Sequence, residues 1–292
     1  MKNLPAIDWK RTDTLIALAL EEDLGDLGDT TTNAVIPDGL ITDAVFLAKE
    51  DLVCAGLPVA ERLFHTLDPA VQWQALVQEG EFCPKGTLLA KVRGPARILL
   101  TGERTALNFL QRLSGVATAS SRYQTAAGGS CRILDTRKTT PGWRNLEKYA
   151  VAVGGAFNHR IGLYDRIMIK DNHRELAGLE GTGGIIRSVQ RARKMYPSLE
   201  VEVEVDSLSE LAEAVESGAE YILLDNMTDD QMAEAVAFVK GRAKLEASGG
   251  ITLARIPSAA KTGVDFISAG ALTHSVKSSD ISMDIQLPGG EK

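Results

Sequence analysis

Val201-Glu202-Val203-Glu204-Val205, Ser207-Leu208-Ser209-Glu210, Tyr221-Ile222-Leu223-Leu224-Asp225 and Thr228-Asp229-Asp230-Gln231 follow one another in a single stretch of the chain. The first and third of these are short apolar-rich runs of the kind that form buried strands. The second and fourth place Ser or Thr three residues before Glu or Gln, the pattern that caps a helix N-terminus. Strand, helix start, strand, helix start is the rhythm of parallel strands joined by crossover helices. It extends in both directions, with further candidate strands at Arg132–Asp135, Ile167–Lys170, Leu245–Ser248 and Phe266–Ser268. From about residue 130 the chain reads as α/β.

Upstream the character is mixed. Residues 9 to 22 carry a helical pattern through Leu15, Ile16, Leu18 and Ala19, followed by a Gly/Asp loop from Gly25 to Asp29. Asp23, Asp26 and Asp29 look metal-like, but the glycines among them favour helix-capping aspartates. Residues 42 to 55 and 71 to 93 have strand character broken by turns such as Pro84-Lys85-Gly86. A long helix is expected from about Pro95 to Leu113, with Gly115 just beyond its end. Leu99, Gly102, Ala106, Leu110 and Leu113 share one stripe of that helix, and Arg104 lies nearly opposite. Ile281–Leu287 reads as a last strand returning to this first part.

The 292 residues suffice for one large domain or two, and 44% hydrophobic with 24% charged residues is ordinary for a soluble globular protein. No segment approaches the roughly 20 apolar residues of a membrane span. The opening Met1-Lys2-Asn3-Leu4-Pro5 lacks a signal-peptide core. Cys54, Cys83 and Cys131 are odd in number and scattered, so a reducing, cytoplasmic setting is expected. A net charge of -7 argues against a nucleic-acid partner. It hides a local reversal. Residues 137–174 hold eight Lys/Arg (137, 138, 144, 148, 160, 166, 170, 174) against three acids (147, 165, 171), a net of +5, which reads either as a solvated basic face or, more sharply, as a pocket for a small, multiply anionic ligand.

Each α/β strand ends on a polar residue: Asp135 (with Arg137 and Lys138 just beyond), Lys170, Glu204, Asp225, Ser248 and Ser268. In α/β barrels the C-terminal strand ends build the active site. In 201–205 successive side chains alternate, so the valines share one face and Glu202 and Glu204 the other. With the valines under helices, the glutamates point inward, where a carboxylate needs a cation, a Lys/Arg partner or ligand donors. A purely structural ion pair with Lys170 or Lys244 is the alternative. Ser248-Gly249-Gly250 and Ser268-Ala269-Gly270 follow consecutive strands; glycine lets backbone N–H groups approach phosphate, and late barrel loops are frequent phosphate sites. Motifs of the ATP-binding and dinucleotide-binding loops are absent. The cysteines have neither metal spacing nor a nucleophile context, and His65 reads as structural.

Asp135-Thr136-Arg137-Lys138-Thr139-Thr140-Pro141-Gly142, Asn158-His159-Arg160 and Ile169-Lys170-Asp171-Asn172-His173 closely resemble the quinolinate phosphoribosyltransferase family. Glu103-Arg104-Thr105-Ala106-Leu107-Asn108, Ala247-Ser248-Gly249-Gly250-Ile251 and Gly270-Ala271-Leu272-Thr273-His274-Ser275 fit it too. So do Glu21-Glu22-Asp23-Leu24-Gly25 and Gly28-Asp29-Thr30-Thr31. Trp143 and Ala156 stand where many members carry Leu and Gly, neither a ligand-type position.

The resemblance implies decarboxylating transfer from phosphoribosyl pyrophosphate to quinolinate, giving nicotinate mononucleotide, pyrophosphate and carbon dioxide in NAD biosynthesis. It implies an N-terminal α/β sandwich domain over 1–115, with a C-terminal return over about 276–292, and an incomplete (open) α/β barrel over 116–275. It implies magnesium, and a homodimer whose sites include a partner arginine, matched by Arg104. Together with the strand-end reading it points to Arg104, Thr136, Arg137, Lys138, His159, Arg160, Lys170, Glu204 and Asp225 for substrate binding. Ser248, Gly249, Gly250, Ser268, Ala269 and Gly270 are expected to bind phosphate. Lys138, Glu204 and Asp225 are expected to be catalytic, the last two also holding magnesium directly or through water. Three rivals remain: a relative acting on nicotinate, which would not need Arg104, Arg137 and Arg160 together; a Schiff-base lyase using Lys170 or Lys138; and a non-catalytic phosphate-ligand sensor, which leaves the inward carboxylates without a purpose.

Overall fold

The structure is a computed structural model that describes residues 4–286; Met1–Asn3 and Leu287, the last residue of the expected final strand, lie outside that range. The described residues divide into two compact units, one of 4–121, 140–155 and 276–286 and one of 122–139 and 156–275. The expected break at 115 falls inside a continuous helix, and residues 140–155 group with the first unit.

The first unit contains α1 (Trp9–Leu24), α2 (Thr30–Val35), β1 (Ile41–Ala48), β2 (Leu52–Val53), α3 (Leu57–Leu67), β3 (Gln72–Ala75), β4 (Phe82–Cys83), β5 (Leu88–Pro95), most of α4 (Ala96–Ala126) and α5 (Arg144–Val153). The chain's last strand, β12 (Ile281–Gln286), returns to pair antiparallel with β1, completing a sheet of order β12-β1-β5-β3. Alternation along β1 buries Thr42, Ala44, Phe46 and Ala48 on one face. Phe46, Phe64 of α3 and Trp73 of β3 then meet with ring centroids 5.4 to 6.2 Å apart.

Asp8 and Asp29 cap α1 and α2, each accepting a backbone N–H from three residues on. Helix α4 buries the expected stripe, but it runs through Gly115 instead of ending there. A Cβ at Gly115 would stand 2.3 Å from the Lys277 carbonyl oxygen. That glycine serves the close passage of the returning chain, not helix termination.

The second unit contains β6 (Arg132–Leu134), β7 (Ile167–Ile169), α6 (Asp171–Leu176), α7 (Gly184–Met195), β8 (Val201–Val205), α8 (Leu208–Glu216), β9 (Tyr221–Asp225), α9 (Asp229–Val239), β10 (Lys244–Ser248), α10 (Ile256–Lys261), β11 (Phe266–Ser268) and α11 (Ala271–His274). All six strands are parallel, in the order β6-β11-β10-β9-β8-β7. β6 and β7 do not pair, so the barrel is open there, and Leu134 makes a single bridge to Phe157. Val201, Val203 and Val205 are buried. The capping box at Thr228–Gln231 forms in full; at Ser207 only the forward bond does, since the Glu210 side chain takes the Asp206 N–H and Arg174. Among the described residues no helix is long and apolar enough to cross a membrane.

Candidate active site

The C-terminal ends of the parallel strands contribute to a cavity of ≈ 790 Å³ in the second unit. Thr136, Arg137 and Lys138 enter it beyond β6, His159 and Arg160 after the Phe157 bridge, and Lys170 beyond β7. Glu204, Asp225, Ser248–Gly250 and Ser268–Gly270 come from β8, β9, β10 and β11 and the loops that follow them. Of the expected site residues only Arg104 lies elsewhere, exposed on α4 in the first unit.

Four of the eight cations counted between 137 and 174 line the cavity: Arg137, Lys138, Arg160 and Lys170. Arg166 stands 3.6 Å from Glu202 and Arg174 2.7 Å from Glu210, while Arg144 and Lys148 belong to α5. Burial first, then the nearby Arg137 cation, pushes Arg160 below the ordinary arginine range. Two close guanidinium groups are relieved by a shared anion, so the pair favours a carboxylate or phosphate between them.

The groups around these side chains hold them in place. Asp135, fully buried, accepts from Asn158 Nδ2 at 2.7 Å and from the His159 N–H at 2.9 Å, so this strand end is a scaffold for the next segment. Thr273 Oγ1 donates to the Lys138 carbonyl at 2.7 Å. Lys170 Nζ lies 2.5 Å from Glu204 Oε2, which is the ion pair left open above for Glu204. For Glu202 the expected lysines are wrong. Its neighbours are His159 Nε2 at 3.0 Å and Arg166 at 3.6 Å, and Lys244 pairs with Asp265.

The two glycine loops differ. Gly250 sits at φ +57 with open space where a Cβ would point, as backbone approach to a ligand requires. Gly249, at φ +91, is glycine because a Cβ would stand 2.2 Å from Asn226 Oδ1. Arg255 pins this loop by donating to the carbonyls of Gly249 and Met227. In the second loop the Ala269 N–H already donates to the Leu134 carbonyl at 3.0 Å, so it belongs to the sheet. Gly270 makes room for His274 and Lys138, whose side chains a Cβ would meet at 2.8 and 3.1 Å.

Residues 29–114 match the family described as quinolinate phosphoribosyl transferase, N-terminal domain, and residues 116–284 match the corresponding C-terminal domain. The chain belongs to the quinolinate phosphoribosyltransferase family. It is 44% identical, over 95% of its length and 93% of the relative's, to a Synechocystis protein named "Probable nicotinate-nucleotide pyrophosphorylase (carboxylating)". It is 42% identical to the chloroplastic nicotinate-nucleotide pyrophosphorylase (carboxylating) of Arabidopsis thaliana, over 96% of this chain and 84% of that one. The solved nicotinate-nucleotide pyrophosphorylase of Francisella tularensis superposes with a TM-score of 0.91 at 36% identity, over 98% of this chain and all of the other.

Several residues lining this phosphoribosyltransferase site were not singled out from sequence, Asn226 and Glu246 among them. Glu246, on β10, lines the cavity and is 1% exposed. Alternation puts it on the same strand face as Ser248, the argument applied to Glu202 and Glu204, so the signal was present. Burial and then the Glu202 charge push its carboxyl up. Burial would raise Glu202 as well, but His159 and Arg166 outweigh it and hold that carboxyl below the usual range. For His159, burial works to lower the imidazole and the two carboxyls outweigh it, pushing it up to about 9. His159, Glu202 and Glu246 are also the only group of three or more His, Cys, Asp or Glu among the described residues whose ligand atoms lie close enough for a metal; Glu204 and Asp225 are not in it.

Proposed function

We propose that the chain joins quinolinate to the ribosyl carbon of phosphoribosyl pyrophosphate, forming nicotinate mononucleotide and releasing pyrophosphate and carbon dioxide, as a step of NAD biosynthesis. The observation that carries this reading is a single cavity combining Arg137, Lys138, Arg160 and Lys170 with Glu204, Asp225 and the Ser248–Gly250 loop. Arg137 and Arg160 offer planar forks to the carboxylates of the base, and the two lysines add point charge. The pyridine nitrogen attacks the anomeric carbon as the bond to pyrophosphate breaks. Glu204 and Asp225 face the positive charge that develops on the ribosyl carbon. The nitrogen, now cationic, lets the ring hold the electron pair left when the adjacent carboxylate departs as carbon dioxide, and a proton takes its place.

The donor set fits magnesium. Glu204 and Asp225 supply hard carboxylate oxygens in the cavity that the phosphate loop also lines, and the ion commonly takes one or two carboxylates plus substrate phosphates. These residues would hold it directly or through water, and bound there it would offset the charge of the departing pyrophosphate. The working form in this reading is a homodimer in which the partner's Arg104 completes each site, a role its exposure on α4 supports. The free state of all three cysteines agrees with a cytoplasmic setting.

The test is an assay of purified protein with quinolinate, phosphoribosyl pyrophosphate and magnesium. One carbon dioxide and one pyrophosphate should appear per nucleotide formed, and chelation should stop turnover. Turnover of nicotinate with none of quinolinate would overturn the reading.

A further inference from the structure

We infer that Arg255 is a positioning residue for the phosphate-binding end of the cavity. By gripping the Gly249 and Met227 carbonyls from behind, it turns the Gly250 N–H toward the ligand and ties this loop to the strand end that carries Asp225. The inference rests on the reading of Ser248–Gly250 as a phosphate loop.

Arg255 ends the turn Leu253–Arg255 that leads into α10, and it stands outside the lining of the cavity. Its Nη1 donates to the Gly249 carbonyl at 3.1 Å and its Nη2 to the Met227 carbonyl at 2.7 Å. One planar fork thus spans the chain leaving β10 and the chain leaving β9. The described peptide bonds are trans, and in a trans peptide the C=O and N–H point in opposite directions. Holding the Gly249 carbonyl on the Arg255 side therefore aims the N–H of the same peptide, that of Gly250, to the cavity side. Among the described residues that N–H donates to no backbone carbonyl, and the space beside Gly250 is open. Consecutive left-handed residues that aim N–H groups into a concavity suit an anion.

The loop needs the brace. Gly249 and Gly250 sit at φ +91 and +57, and glycine adopts positive and negative φ about equally readily, so the backbone alone does not hold this shape. Asn226, itself at φ +55, stitches the other side: its N–H donates to the Ser248 carbonyl at 3.0 Å and its Nδ2 to Asp225 Oδ2 at 2.7 Å. The phosphate loop and Asp225 are consequently one assembly with Arg255 at its back. Arg137 and Arg160, read as the carboxylate forks for the base, come from other segments and make no bond to it. Asp229 stands 3.6 Å from Arg255 Nη2 and contributes charge to the fork.

The test reads each ligand separately on the whole protein. Calorimetric titrations with phosphoribosyl pyrophosphate plus magnesium, and with quinolinate, are run on the unaltered protein and three variants. Arg255→Met keeps the stem and loses the donors. It should weaken phosphoribosyl pyrophosphate binding about tenfold, as for a lost hydrogen bond from a charged group, with quinolinate affinity within about twofold. The two KM values should split in the same way. Arg255→Lys, whose point charge cannot fork to both carbonyls, should fall between Arg255→Met and the unaltered protein. Asp229→Asn removes the nearby anion and neither carbonyl bond, so its affinities should stay within about twofold. Equal losses for both ligands, or a lowered Tm with phosphoribosyl pyrophosphate affinity unchanged, would mean that Arg255 serves the fold alone and would overturn the inference. An Asp229→Asn variant as damaged as Arg255→Met would do the same. If Arg255→Met fails to fold, Arg255→Lys decides, and an affinity equal to that of the unaltered protein refutes the role. An unaltered protein that binds no phosphoribosyl pyrophosphate overturns the inference together with the phosphate loop. One that binds it in the Arg255-dependent way but turns over no quinolinate faults the functional reading alone.

Discussion

Replacing Glu204 by Gln, and separately Lys170 by Met, separates architecture from chemistry at one ion pair. The pair is close, at 2.5 Å, but the Lys170 side chain is 43% exposed and that of Glu204 17%. Solvent screens a pair of that kind, which limits its contribution to folding to about 0.5–1 kcal/mol. Lys170→Met should therefore lower the Tm by only roughly 1–4 °C. Catalysis has far more at stake if Glu204 faces the charge developing on the ribosyl carbon. Removing one preorganised group of that kind costs about 10²–10³ in kcat, or about 2.7–4 kcal/mol. Thermal unfolding by circular dichroism and steady-state kinetics at saturating substrates, run on both single variants and the double, measure the two quantities side by side. Small Tm changes with a collapsed kcat for Glu204→Gln are expected. A Tm loss beyond about 8 °C with kcat held within about threefold would show the pair to be structural and refute the reasoning.

Arg104→Ala should fold normally and raise the quinolinate KM roughly tenfold to hundredfold, the cost of a lost charge-assisted bidentate contact. Mixed with an inactive Lys138→Ala variant under subunit exchange it should regain activity; hybrids confirmed by mass that stay inactive would contradict site sharing. No cysteine is expected to be catalytic: all three are buried and free of disulfides, and burial pushes the Cys131 thiol up to about 11. A folded triple Cys→Ser variant that lost more than about a hundredfold in activity would count against this. Asp29 accepts from the Thr32 N–H and the Thr101 hydroxyl, and the Thr32 bonds in particular hold its carboxyl below the usual range. Because the folded value is the lower one, its contribution is present above the unfolded value of about 3.9 and is lost as pH falls through the folded value. Asp29→Ala should cost about 1 kcal/mol at neutral pH, and denaturant titrations showing an undiminished gap near about pH 3 would contradict the assignment.

The α/β half was legible because each strand buries an apolar run and ends on a polar side chain, so all six strands were placed. Glu202 and Glu204 were placed on the inward face by alternation alone, and the structure puts both there. Lys170 was among the partners named and pairs with Glu204, but those of Glu202 were not legible, since Arg166 and His159 come from segments far from β8 in sequence. Gly115 misled because a glycine after an apolar stripe signals a helix end just as well as it signals close packing against Lys277, and only the path of the returning chain separates the two. Ala269 shows a similar limit: a small residue in a glycine loop reads as a phosphate contact until its N–H is seen bonded to Leu134. Alternation along β10 carried the signal for Glu246, whereas the role of Asn226 depends on side-chain packing between adjacent strands, which residue type alone does not disclose.

The parallel sheet has two borders that a closed barrel would lack, at β6 and β7. A strand border presents unsatisfied N–H and C=O groups to any passing chain and can template fibre growth. Here both borders are three residues long, against five in β8, β9 and β10, and the β6 border is partly occupied by the bridge from Phe157. Brevity thus does for solubility what closure does elsewhere. Extending β7 with β-branched residues would turn a harmless gap in the barrel into a nucleus for aggregation.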